Sequence, residues 1–323
     1  MTVPIIRNVL LQNPSFTITV VSDAFTEPLF TEIDRCKFYG AKLKTTHKGF
    51  GGIVKIFKEL NRLQKFDCII DLHDVLRSKV LRALFASYGI RSAHIDKGRK
   101  EKKELTRKEN KILRQLETTH QRYADVFNKA AIPVLLNNNS PVLSKKEWPL
   151  SVFPAITTGK KIIGVAPFSK HREKMYPLER MKSVIEKINE EENVQFLFFG
   201  SKQESEILEQ WQSSIPRSIN IAGKYSFKEE LNIISNLFAM VSMDSANVHL
   251  ASLYNIPVIS IWGATHPFAG FTGWNQSPDN IVETNLYCRP CSVFGNKPCY
   301  RGDHACMTRM PEQMILEKIK SLL

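Results

Sequence analysis

Asp244 and Ser245 sit between a run of almost wholly apolar residues, Phe238 to Met243, and a short segment with Val248, Leu250, Ala251 and Leu253 on its apolar side. The first run has the character of a strand buried on both faces, and the second that of a short helix. Aspartate and serine are both good helix N-caps. Asn255 suits a left-handed stop, and Pro257 prevents the helix from continuing. Val258 to Trp262 form the next buried strand, and Gly263 ends it. Such a βαβ unit places a helix N-terminus at the carboxyl edge of a parallel sheet, where open α/β sheets bind ligands. There the N–H groups of Ala246, Asn247 and Val248, with the helix dipole, make an anion site suited to phosphate. The alternative is an ordinary crossover in which Asp244 serves only as a cap.

The run Asp244-Ser245-x-x-x-His249-Leu250-Ala251, followed by Pro257 and by Gly263-Ala264-Thr265-His266-Pro267, resembles the glycosyltransferase family 9 heptosyltransferases. Their pattern here is close to D-[ST]-G-x-x-H-L-A, then a G-x-T-x-P loop. Ala246 stands where the family has glycine. Alanine keeps the N–H but restricts φ and narrows the approach to a diphosphate. A second stretch, Ala166-Pro167-Phe168-Ser169-Lys170 with Lys174-Met175-Tyr176-Pro177-Leu178-Glu179-Arg180, resembles the family's G-x-x-x-x-K-x-W-P-x-x-[RH] segment. Lys174 holds the lysine position and Tyr176 stands for tryptophan. A lysine at the sheet's carboxyl edge neutralises a phosphate and stabilises a departing diphosphate, and Ser169 adds a hydroxyl. The competing reading is a solvated lysine ahead of a helix. Gly223-Lys224-Tyr225-Ser226 resembles the family's G-K-x-S turn, with Glu229 and Glu230 nearby as carboxylates for a ribose, neither singled out.

In the first half, Asp67 to Leu72 reads as a buried strand and Val75 to Leu84 as a helix with an apolar stripe. Asp71-Leu72-His73 with Leu76-Arg77-Ser78 resembles a D-L-[HQ]-x-x-[LI]-R-S block of the same family. Arg77, one turn into its helix, suits bidentate clamping of an acceptor carboxylate or phosphate. A structural pair between Asp71 and Arg77 is the other reading. His73 fits a cleft-lining or capping role better than that of a base. Lys97 to Arg114 is dense in lysine and arginine. It reads either as a solvated charge run or as a mobile basic lip over an anionic acceptor in a membrane.

Four of the six cysteines, Cys288, Cys291, Cys299 and Cys306, share one segment with spacing C-x2-C-x7-C-x6-C. In a reducing compartment this leaves a structural zinc with four thiolate ligands, or four reduced thiols. His304 is a spare ligand. Neither reading is catalytic.

The elements that hold these residues follow from composition and rhythm. The chain has 323 residues, 43% hydrophobic and 24% charged, enough for two domains with sizeable cores. Net charge is +13, which points to an anionic partner. No zinc-finger, homeodomain or RNP-like pattern is present, so nucleic acid is not the expected partner. No apolar run approaches the roughly 20 residues of a membrane span, and no signal peptide is evident, so a cytoplasmic location is expected. Asn137 to Pro154 is the linker candidate, dividing an N-terminal acceptor-side domain (1–150) from a C-terminal nucleotide-sugar domain (151–323). The second half alternates strands at Lys160–Ala166, Gln195–Gly200 and Ile219–Ala222 with helices at Pro177–Glu190, Lys202–Ser213 and Phe227–Leu237.

The resemblance implies a GT-B-type α/β architecture, with two Rossmann-like domains whose parallel sheets face across a cleft. It implies an inverting transferase that needs no metal or other cofactor. The donor is expected to be a nucleotide-activated heptose, usually ADP-heptose, and the acceptor the lipid-linked, anionic inner core of lipopolysaccharide, with contact at the inner membrane. A non-catalytic, degenerate transferase that binds nucleotide-sugar or glycan is the alternative, and Ala246 favours it somewhat. Thr2 to Gln12 reads as a helix whose Met1-Thr2-Val3-Pro4-Ile5-Ile6-Arg7 resembles the interior of the family's first helix. The family's catalytic aspartate, on a Gly-Asp loop before that helix, is thus expected upstream of Met1, and the chain as written is expected to be poorly soluble or inactive; a natural helical start is the other reading.

Overall fold

The computed structural model describes residues 1–137, 142–149, 151, 155–157 and 159–323. The chain divides into two compact units, one of residues 1–99 and 117–139, the other of residues 100–116 and 140–323. The expected boundary near residue 150 therefore falls earlier. The expected linker, 137 to 154, lies partly outside the described residues. The basic segment after Arg99 joins the second unit.

The first unit opens on α1 (Thr2–Gln12), followed by β1 (Ile18–Asp23), β2 (Cys36–Ala41), α2 (Gly49–Leu63), β3 (Cys68–Asp71), α3 (Leu76–Ala86) and β4 (Arg91–His94). Next comes α4 (Arg99–Leu105), which starts at the last residue of the first unit and runs into the second, and then α5 (Thr119–Lys129). The strands pair in parallel as two separate two-stranded sheets, β1 with β2 and β3 with β4. Ile5, Val9, Val126 and Phe127 are buried, as are Ile56, Phe57, Leu60 and Phe85. The first and second strands are only half-buried, which is why their apolar signal in the sequence is weaker.

The second unit holds β5 (Lys161–Ala166), α6 (Leu178–Glu191), β6 (Val194–Phe198), α7 (Ser205–Ser214), β7 (Ser218–Asn220), α8 (Phe227–Ile234), β8 (Ala239–Met243), α9 (Ala246–Leu253), β9 (Val258–Trp262), β10 (Ile281–Glu283), α10 (Ala305–Thr308) and α11 (Glu312–Lys320). One parallel sheet runs in the order β10-β9-β8-β5-β6-β7. The chain leaves β5 toward β6 and β7, then returns to the other side of β5 with β8. The topological switch point thus lies between β5 and β8, where open α/β sheets bind ligands. Every residue of β6, β8 and β9 is buried. Helices cover both faces of such a sheet, and continuous apolar runs are the result. Tyr176, in the tryptophan position of the resemblance, is a core residue whose hydroxyl donates to the Met310 carbonyl at 3.0 Å.

Residues 100–116 are not a free charge run. Leu105 is fully buried with Leu116 and Ala269, Lys102 lies over the Phe271 ring at 4.6 Å, and Lys111 Nζ donates to the Pro290 carbonyl at 2.7 Å. The Leu116 N–H adds a bond to the Phe268 carbonyl at 2.9 Å. The ammonium groups of Lys102 and Lys111 are thus drawn in against a ring and a carbonyl, which a reading by charge alone misses. Among the described residues no helix is long and apolar enough to cross a membrane.

Candidate functional site

A cavity of about 490 Å³ opens in the second unit at the carboxyl edge of its sheet. The loop after β5 supplies Ser169, Lys170, His171 and Lys174. The turn after β8 supplies Asp244 and Ser245, and α9 supplies Ala246, Asn247 and His249. All seven residues expected at the donor phosphates from the sequence are therefore brought together here.

Their roles differ from the expected ones in one respect. Asp244 does not cap α9. Its Oδ2 lies 3.0 Å from Lys174 Nζ and accepts a bond from Thr265 Oγ1 at 2.8 Å. Both partners are largely buried, with side-chain exposures of 13% for Lys174 and 11% for Asp244, so this charge-assisted contact is better shielded than a surface pair. The N-cap of α9 is Ser245, yet no side chain caps the helix, because the Ser245 hydroxyl faces that of Ser242 at 3.0 Å. The start of an eight-residue helix is thus left without a capping side chain at the wall of the cavity, and its amide dipoles favour an anion there.

The wall opposite was not legible in the sequence. Phe271 and Phe294 line it, their ring centroids 5.6 Å apart. Phe294 belongs to the cysteine-containing loop, and so does Gly295, whose backbone lies against the stem of Lys174. Arg289 organises the same region. Its buried guanidinium donates to the carbonyls of Gly263 (2.6 Å), Thr265 (3.1 Å) and Thr284 (2.6 Å) and pairs with Glu283 at 2.8 Å. The loop after β9, including the Thr265 that binds Asp244, is thereby fixed from behind. His266 accepts from the Phe268 N–H at 3.1 Å, and its pKa is lowered by burial, with Glu283 opposing the shift.

The cavity is also lined by Phe199, Gly200, Ser201 and Glu204 from the loop after β6, and by Glu230 from α8. Glu204 was not singled out from the sequence. Its carboxylate accepts from the Ser201 N–H at 2.6 Å, closing a short turn. Of the two carboxylates noted near the G-K-x-S turn, Glu230 reaches the cavity. Glu229 does not line it and is taken up by the N-cap of α8, bonded to Ser226.

All four thiols of the cysteine loop are free, Cys288 and Cys306 are buried, and among the described residues no group of three or more His, Cys, Asp or Glu is placed to hold a metal ion. Burial pushes the Cys306 thiol up to about 11 and raises that of Cys291, and the neighbouring cysteines add to both shifts. A structural zinc at Cys288, Cys291, Cys299 and Cys306 thus stays a proposal beside four reduced thiols, while Phe294 of the same loop lines the cavity.

In the first unit, Arg77 and His73 are both exposed, near the carboxyl end of β3. The expected pair between Asp71 and Arg77 is not formed. Asp71 pairs with Arg82 at 3.0 Å and accepts from the His73 and Asp74 N–H groups at 2.9 and 2.8 Å. With both its oxygens engaged, Asp71 is a structural residue.

The strand order, the ligand edge at the switch point, and a lysine beside an uncapped helix start define a GT-B-type α/β protein. The chain belongs to glycosyltransferase family 9 (heptosyltransferase), whose model matches residues 53–298. It is 25% identical over 202 residues to lipooligosaccharide heptosyltransferase 2 of Campylobacter jejuni, covering 61% of this chain and 58% of the relative. The chain thus spans a little over half the length of that curated relative. The glycosyltransferase family 9 structure from Veillonella parvula superposes with a TM-score of 0.78 at 16% identity, covering 99% of this chain and 92% of that one. The E. coli heptosyltransferase WaaC, solved with ADP, superposes with a TM-score of 0.66 at 14% identity, covering 100% and 95%.

Proposed function

We propose that this chain transfers a heptose from ADP-heptose to the inner core of lipopolysaccharide, with inversion at the anomeric carbon. The observation that carries the donor half is the Lys174–Asp244 pair beside the uncapped start of α9. Lys174 and the α9 amides would hold the diphosphate, and Ser169, Asn247 and His249 would surround it. The acceptor oxygen forms the new bond to C1 as the bond from C1 to the phosphate oxygen breaks. ADP leaves with the electron pair, stabilised by the positive groups already in place. The acceptor's proton passes to a base. Asp71, paired with Arg82, is not the base in this reading. No metal is needed in this scheme, since Lys174 and a helix dipole do the electrostatic work. Arg77 and His73 are proposed to contact the anionic acceptor. The net charge of +13 suits a lipid-linked anionic substrate and peripheral work at the cytoplasmic face of the inner membrane.

The test is transfer itself. The chain is incubated with ADP-heptose and a lipopolysaccharide acceptor lacking heptose, and the acceptor's mass is followed. Addition of one heptose, lost in Lys174→Ala, supports the reading. ADP binding without any transfer supports instead a chain that binds nucleotide-sugar and does no chemistry.

A further inference from the structure

Glu230 is half-buried in the first turn of α8 and lines the cavity, yet its carboxyl group makes no hydrogen bond or ion pair to any described residue. The other carboxylates of the cavity are engaged, Asp244 with Lys174 and Thr265, and Glu204 with the Ser201 N–H. A carboxyl group taken partly out of water without a partner is costly, and such groups in a cavity mark a ligand contact.

Its place in the fold says which part of a ligand it meets. Phosphates belong at the switch point between β5 and β8, beside Lys174 and α9. The same cavity is lined by Glu204, in the turn after β6, and by Glu230 on α8, which follows the edge strand β7. A nucleoside diphosphate with its phosphates at Lys174 would lay its ribose near Glu204 and its base near Glu230.

We propose that Glu230 is the base-reading residue of the donor site and that it pairs with the N1/N6 edge of adenine. The pairing rests on the ADP donor proposed above. Adenine presents there an acceptor, N1, beside a donor, the N6 amino group. A neutral carboxylic acid matches both, its O–H donating to N1 and its carbonyl accepting from N6. It is the counterpart of the side-chain amides that read adenine edges bidentately. Burial supports this form, because it raises the Glu230 pKa to about 7, and no neighbouring charge contributes. The titratable groups sharing the cavity are Lys170, His171 and Lys174 after β5, Glu204 after β6, Asp244 after β8 and His249 on α9. On its own helix Lys228 is exposed and Glu229 is bonded to Ser226.

The experiment measures ADP and UDP affinity by calorimetry for the full chain and for Glu230→Ala and Glu230→Gln, across about pH 6 to 8.5. The acid form binds, so wild-type ADP affinity is full below about pH 7 and falls by about ten-fold as the pH rises through it. Glu230→Ala is expected to weaken ADP by about ten-fold and UDP by less than about two-fold. Glu230→Gln is expected to recover most of what Ala loses and to remove the step near pH 7. The recovery distinguishes base reading from a structural role, and the lost step separates Glu230 from His171 and His249. ADP affinity unchanged in Glu230→Ala overturns the inference and leaves the donor reading intact. A wild-type chain that does not bind ADP overturns both.

Discussion

Gly295 lies against Lys174: a Cβ built on its backbone would lie 2.4 Å from Cδ of Lys174 and 2.5 Å from Cγ. Gly295 also has φ +74, a conformation that glycine adopts freely and alanine does not. Gly295→Ala should therefore displace Lys174 from Asp244 rather than unfold the chain, because the clash is with a flexible stem. ADP affinity is expected to fall by about five-fold, while the melting temperature drops by only a few degrees, as about 1 kcal/mol of backbone strain implies. Unchanged nucleotide binding would mean that the cysteine loop does not set the lysine's position.

Lys174 and Asp244 should separate binding from turnover. Lys174→Ala removes the positive charge from the proposed phosphate end and is expected to weaken ADP by ten-fold or more, about 1.5–3 kcal/mol. Asp244→Asn has two opposed effects. It loosens the lysine, but it also removes a negative charge from beside the diphosphate. ADP affinity should change by less than about three-fold, while transfer slows by about ten-fold or more. Parallel binding and transfer assays on the two variants check this, and equal losses of both in Asp244→Asn would contradict it.

Arg289, which holds the loops behind the cavity wall, is expected to matter for stability. Removing its guanidinium leaves the carbonyls of Gly263, Thr265 and Thr284 and the Glu283 carboxylate without that partner. Arg289→Met should cost about 3 kcal/mol, the order for breaking a buried charge network. Urea unfolding measures it. Arg289→Lys should recover only part, since one ammonium cannot reach the positions of a planar fork.

Leu105→Ala tests the place of the basic segment. Leu105 is fully buried against Leu116 and Ala269, so the truncation should cost about 3 kcal/mol. A solvated segment would give a change below about 0.5 kcal/mol.

The strands of the second sheet were legible because burial on both faces writes itself as unbroken apolar runs, such as Val258–Trp262. The helix start at Ala246 was legible because Asp244-Ser245-Ala246 follows a strand and precedes an apolar stripe. The bond that Asp244 makes was not, since its partners Lys174 and Thr265 are set by the packing of separate loops. Arg77 illustrates a different failure. It and Arg82 lie five positions apart on α3, which puts them about 140° apart around the helix. Only Arg82 faces Asp71, and motif spacing alone did not choose between them. Arg289 and Gly295 escaped notice because cysteine spacing drew attention to metal binding. Their work is done through carbonyls and close approach, which leave little trace in one sequence.

The segment from Lys100 to Leu116 makes the chain pass between its two units three times, at residues 99/100, 116/117 and 139/140. A gene cut once, at residue 139, would not give two autonomous halves. The C-terminal piece would lack Leu105 and Leu116, baring Ala269 and the Phe271 that lines the cavity, and Pro290 would lose Lys111. The cavity is thus supported by chain that is synthesised before the first unit is complete, since 117–139 still follow it, and a circular permutant that keeps 100–116 joined to the second unit is the form in which that cavity could be studied alone.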